Sequence, residues 1–151
     1  MGLFLVQHGE ATREDENPDR PLTDRGRRDV HHVIRLATNV GAIAAERIVH
    51  SGKTRAAQTA AAWGEALGVA VDAADGLAPR DDPQIWASRV ANTPVDLMLV
   101  GHLPHLAKLA GLLVAGDSER PVVAFRQGAL VGLELGPAGW SVWLVVPPAT
   151  E

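Results

Sequence analysis

The sequence predicts an α/β fold: a mostly parallel sheet with helices on both faces and antiparallel strands at the C-terminal end. Three observations carry this. Short apolar runs alternate with longer stretches of helical spacing from Leu3 to Leu113. Three of the runs stop abruptly in small or polar residues: Gln7-His8-Gly9, His50-Ser51-Gly52 and Gly101-His102. The last two runs are separated only by Gly136-Pro137-Ala138-Gly139, a connection short enough to make them pair antiparallel.

Taken in order, Leu3–Val6 is a buried strand with chemistry at its C-terminal end. Ala11–Pro21 is a charged loop. Thr23 then caps a helix, Asp24 suits the positive end of its dipole, and the helix runs to about Asn39. Val30, Val33, Ile34 and Ala37 make its apolar face. His31 and His32 point about 100° apart on that helix and read as surface or boundary residues. Arg47–His50 is a second strand, followed by an alanine-rich helix from Lys53 to about Leu67. Gly68–Val71 is a brief extended piece. Pro83 opens a short helix to about Val90, with Asp81 or Asp82 as its cap. Val95–Gly101 is the most apolar strand, and Leu103-Pro104 opens a helix to about Leu113. Ala129–Leu135 and Trp140–Val145 are the closing hairpin.

At 151 residues, with 46% apolar content, the chain suits one domain spanning 1–151. The net charge of −4 gives no overall basic field for nucleic acid or acidic membranes. The absence of cysteine excludes disulfides, thiolate catalysis and Cys-based zinc sites. No apolar run approaches the roughly 18–20 residues that span a bilayer, so a cytoplasmic monomer without a membrane anchor is expected.

In a parallel sheet the three strand ends face one crevice. His8, His102 and Arg55, which lies one turn into the second helix, would make a basic pocket in an acidic protein. Helix starts after Ser51 and Leu103 would add N–H groups that favour a phosphate. Gly9 would let a bulky anion approach. Taken alone, His8 reads equally as a strand-end residue bonded to a nearby carbonyl. A metal is secondary, because no carboxylate pair accompanies the histidines. Ser51-Gly52-Lys53-Thr54 looks like the end of a nucleotide-binding P-loop, but the glycine that motif needs is Arg47 here. The available chemistry is phosphoryl transfer. A neutral His8 ring nitrogen attacks phosphorus, the Arg55 fork holds oxygens, and a protonated His102 adds charge.

These residues, in this order, resemble the histidine phosphatase superfamily, and within it the small SixA-type phosphohistidine phosphatases. The carriers are Gln7-His8-Gly9, then Pro21-Leu22-Thr23 with Gly26, then Ser51, Arg55, Gln58 and Thr59, then His102-Leu103-Pro104. The resemblance implies the phosphoglycerate mutase-like fold and no cofactor. It implies His8 as nucleophile and Arg55 and His102 as catalytic phosphate ligands. Gln7, Gly9 and Leu103 complete the expected phosphate-binding set. The family has arginine where this chain has Gln7, an amide that keeps an N–H donor and loses a charge. Arg20 and Arg126 are cations able to fill that space. Asp81, Asp82 and Glu10 are candidate general acids, with helix capping or backbone bonding as their alternative roles. Three functions are open on this reading: a phosphatase of protein phosphohistidine, a weak or inactive phosphoprotein-binding module, and a phosphatase of a small phosphorylated molecule.

Overall fold

The computed structural model describes residues 2–41 and 43–148. Six strands form one sheet in the order β3-β2-β4-β1-β5-β6. In chain order the elements are β1 (Gly2–Gln7), α1 (Asp24–Val40), β2 (Arg47–His50), α2 (Thr54–Leu67), β3 (Val71–Ala73), α3 (Pro83–Ala91), β4 (Leu97–Gly101), α4 (His105–Ala115), β5 (Leu130–Gly136) and β6 (Gly139–Val146). β1, β2, β3 and β4 run parallel, whereas β5 pairs antiparallel with β1 and β6.

Strand alternation divides the core into two layers. Phe4 and Val6 of β1, Ile48 of β2, and Met98 and Val100 of β4 pack beneath α1 and α2 with Val30, Val33, Ala60 and Trp63. Leu3, Leu5, Val49, Leu97 and Leu99 point the other way, against Trp86 and Val90 of α3 and Leu106 and Leu109 of α4. The central strands are buried on both faces, which is why they read as unbroken apolar runs. Each large side chain so buried contributes about 1.5–3 kcal/mol.

The third strand lies further along than the apolar pattern suggests. Gly68 takes a left-handed conformation (φ 68°) and closes the C-terminus of α2, so the chain needs two more residues to reach the sheet and β3 starts at Val71.

β4 lies between β1 and β2. After β1 and β2 the chain leaves to the α1/α2 face, and after β4 to the other face. Opposite departures from neighbouring strands open a crevice at their carboxyl ends. Strand register sets the level at which the three ends stop: Gln7 pairs with Gly101, and His50 with Val100. His8, Ser51 and His102 come next in their chain segments and meet at this crevice.

Candidate active site

His8 is held by its own loop. Its backbone N–H donates to the Gly101 carbonyl at 3.0 Å. Its ring Nδ1 lies 2.6 Å from the Gly9 carbonyl. A carbonyl only accepts, so Nδ1 carries the hydrogen and Nε2 is left with a free lone pair. Burial lowers the His8 pKa to about 4, and the charges of Arg55 and Arg20 push the same way against the bond to Gly9. The ring is therefore neutral at pH 7.

The His102 ring stands 5.0 Å from that of His8, tilted by 51°. Its Nε2 lies 2.6 Å from Ser51 Oγ. Burial lowers its pKa to about 3, helped by His8, Arg55 and Lys53. His102 is thus neutral in the protein without a bound anion. The sequence shows which charges lie nearby, but not that the ring is 1% exposed. Burial lowers the Arg55 pKa too, with Arg20 acting in the same direction.

Three of the expected phosphate ligands each carry a buried polar atom without a hydrogen-bond partner: Gln7 Oε1, Arg55 Nε and His102 Nδ1. Such atoms are costly unless a ligand completes them. The helix starts differ in the same sense. α1 is capped by Thr23 and α3 by Asp82. α2 and α4, which start directly after β2 and β4, have no side-chain cap. Two uncapped helix N-termini and a guanidinium form a site suited to a tetrahedral oxyanion.

Residues 3–82 match the family model of the histidine phosphatase superfamily (branch 1). The chain belongs to the histidine phosphatase superfamily. No curated protein matches it significantly. Solved structures share its fold. The protein histidine phosphatase SixA complexed with tungstate is 21% identical, with 97% of each chain covered and a TM-score of 0.83. A mycobacterial glucosyl-3-phosphoglycerate phosphatase complexed with VO3 is 16% identical, covering 95% of this chain and 97% of that one, with a TM-score of 0.73. A phosphoserine phosphatase mutant from Entamoeba histolytica, bound to phosphoserine, is 14% identical, with 96% of each chain covered and a TM-score of 0.67.

In this superfamily member the polar residues after Arg55 act as staples. The Gly9 N–H donates to Thr59 Oγ1 at 3.1 Å, and the Thr59 hydroxyl donates to the Arg55 carbonyl at 2.8 Å. Gln58 Oε1 accepts from the Leu22 N–H at 2.7 Å. The His8 loop and the Pro21-Leu22-Thr23 segment are thereby fixed to α2. The staples pass unnoticed in sequence because their partners are distant backbone groups.

Gly9 has a different job from the expected one. Its N–H is taken by Thr59 and its carbonyl by His8. An added Cβ would lie 2.9 Å from both the Gly26 carbonyl oxygen and Val30 Cγ2. Glycine is required there for close packing against α1, and an approaching anion finds no free amide on it. Gln7 is 7% exposed at the end of β1. Leu103 is 39% exposed at the start of the α4 turn.

The candidate acids all hold structural bonds. Asp81 Oδ2 accepts from the Ala78 N–H at 3.0 Å, and Asp82 Oδ1 from the Gln84 N–H at 2.9 Å. Glu10 Oε1 accepts from the Thr23 hydroxyl at 2.8 Å. Asp82 is the N-cap of α3, whereas Asp81 closes a turn onto Ala78 and Glu10 holds the Thr23 hydroxyl. Arg126 is exposed and lines a cleft with Glu10, Arg25 and Asp29. Among the described residues, no three His, Asp or Glu side chains gather to hold a metal ion. No helix is long and apolar enough to cross a membrane.

The two histidines make stability depend on pH. Unfolded, each ring titrates near 6.5; folded, His8 does so near 4 and His102 near 3. Between those values the unfolded chain binds more protons, so stability is full above about pH 6.5 and falls as pH drops through the window. The expected slope is on the order of 1 kcal/mol per pH unit for each ring. Imidazole ¹⁵N titration is expected to find both rings neutral at pH 6. A midpoint near 6.5 for either would mean that the ring is solvated.

Proposed function

We propose that this protein is a metal-independent phosphatase that works through a phosphorylated His8 and takes phosphate from phosphohistidine on a partner protein. The observation that carries the reading is the 2.6 Å contact between His8 Nδ1 and the Gly9 carbonyl, which leaves Nε2 as a neutral nucleophile aimed from a strand end.

In the first step the Nε2 lone pair forms an N–P bond as the bond from phosphorus to the leaving group breaks. Arg55 and the uncapped starts of α2 and α4 hold the three equatorial oxygens, where charge is spread. The incoming dianion favours protonated His102, reversing the effect of burial. In the second step water attacks phosphorus, the N–P bond breaks, and inorganic phosphate leaves with His8 neutral again.

The choice of substrate follows from the acids. Asp81, Asp82 and Glu10 each give one carboxylate oxygen to a backbone or hydroxyl donor, and none of them is bonded to His8, Arg55 or His102 among the described residues. A phosphohistidine ring needs no such acid. With its second nitrogen protonated, it leaves as neutral imidazole. Two histidines beside Arg55, with no third His, Asp or Glu gathered to them among the described residues, also make an incomplete set of ligands for a metal ion. One observation favours a second reading, a phosphoprotein-binding module. Gln7, buried at the end of β1 directly before His8, is a neutral amide where the family has arginine, and hydrogen bonds from charged donors are about twice as strong.

Incubation with a phosphohistidine-bearing phosphotransfer domain is expected to release inorganic phosphate faster than a serine phosphate ester does, and EDTA is expected to change neither rate. Equal rates on the two substrates would remove the phosphohistidine preference. Activity lost to EDTA and restored by zinc or manganese would put a metal in the mechanism. Tight phosphate binding without release would favour the binding module.

A further inference from the structure

We propose that Arg20 binds the phosphoryl group and supplies the positive charge that Gln7 lacks. This rests on the phosphoryl-transfer reading of the site. Among the described residues Arg20 is the only non-glycine with a left-handed backbone, at φ 49°. Arginine rarely adopts that conformation without a constraint that holds it.

The constraint is present. The Arg20 N–H donates to the Asn17 carbonyl at 3.0 Å, and its side-chain Nε donates to the Thr12 carbonyl, also at 3.0 Å. The Thr12 N–H returns a bond to the Pro21 carbonyl at 2.8 Å, and Ala11 and Leu22 form an antiparallel bridge beside it. Leu22 is in turn bonded to Gln58, three residues beyond Arg55 on α2. Thr23 is tied to the carbonyl of Glu10, two residues beyond His8. The segment carrying Arg20 is therefore clamped between the two chain segments that carry His8 and Arg55.

Pinning through Nε fixes the guanidinium plane and leaves its two terminal nitrogens for another partner. Among the described residues no ion pair involves Arg20 or Arg55, so neither cation is neutralised by a carboxylate within ion-pair distance. The Arg20 charge is close enough to disfavour a positive charge on both His8 and Arg55. Such an arrangement is unfavourable by itself and favourable around a phosphoryl dianion. A guanidinium reaching in from the loop can grip two oxygens at once, which the Gln7 amide cannot.

Binding of tungstate by titration calorimetry tests this without any phosphorylated substrate. Arg20→Gly suits the left-handed backbone and removes only the side chain. It is expected to fold as the wild type does and to bind tungstate on the order of 10²-fold more weakly. Arg20→Lys keeps the charge without the fork and is expected to fall between the two. Adding Gln7→Arg to Arg20→Gly is expected to restore most of the lost affinity. Gln7→Arg alone is expected to change affinity much less, because the charge is already supplied. Binding by Arg20→Gly within twofold of wild type overturns the assignment. So does a double variant that stays as weak as Arg20→Gly, since Arg20 would then matter for its loop and not its charge. A wild-type protein that binds no tungstate overturns the phosphoryl-site reading itself.

Discussion

If His8 is the nucleophile as proposed, His8→Ala is expected to lower turnover by on the order of 10⁴-fold or more and to leave the fold intact. The fold survives because the strand-end bond from residue 8 to the Gly101 carbonyl is made by backbone. The lost ring bonds only to the neighbouring Gly9 carbonyl. Turnover goes because the variant lacks the Nε2 lone pair that attacks phosphorus in the proposed mechanism. Initial rates on a phosphohistidine domain check the loss. Trapping an acid-labile phosphoenzyme in the wild type, and its absence in the variant, checks the assignment. Wild-type rates in His8→Ala would show that phosphorus is transferred elsewhere.

Gly26→Ala is expected to destabilise the protein by about 3 kcal/mol, although glycine to alanine inside a helix ordinarily stabilises by up to about 1 kcal/mol. Two effects of opposite sign compete, and distance decides between them. A Cβ on Gly26 would meet the Glu10 carbonyl oxygen at 2.2 Å and the Glu10 nitrogen at 2.9 Å, both of them backbone atoms. α1 would have to move away from the loop after His8. Gly136→Ala is the control: its Cβ has nothing within 4 Å, and its backbone is not left-handed. It is expected to change stability by less than about 0.5 kcal/mol. Urea unfolding of both variants gives the comparison, and equal stability for the two would mean that α1 is not in close contact at Gly26.

Much of the fold is legible in the sequence because the signals are local. Apolar runs in the central strands, the Thr23 cap and the Pro83 start all come from residues a few positions apart, and the structure has them. The convergence of His8, Arg55 and His102 comes from strand ends in a parallel sheet, where chain direction alone puts them on one side. Less legible is the division of labour around them. Gly9 reads as an opening for an anion and is a packing contact with α1. Asp81 and Asp82 read as acids or caps; in the structure Asp82 caps α3 through the Gln84 amide, and Asp81 bonds the Ala78 amide in the preceding turn.

The sequence by itself determined the order of elements and the family, since these depend on spacing and motif. Tertiary structure alone decided the states of the side chains in the crevice. His102 is neutral because the sheet and helices bury it; no neighbour in sequence does so. The His8 tautomer depends on where the Gly9 carbonyl points. The place of Arg20 beside the site depends on a loop closed by Thr12, Asn17 and Gln58, residues whose partners are set by how the chain folds back. Protonation and charge placement respond to burial and to distances across the fold, and neither is written in spacing along the chain.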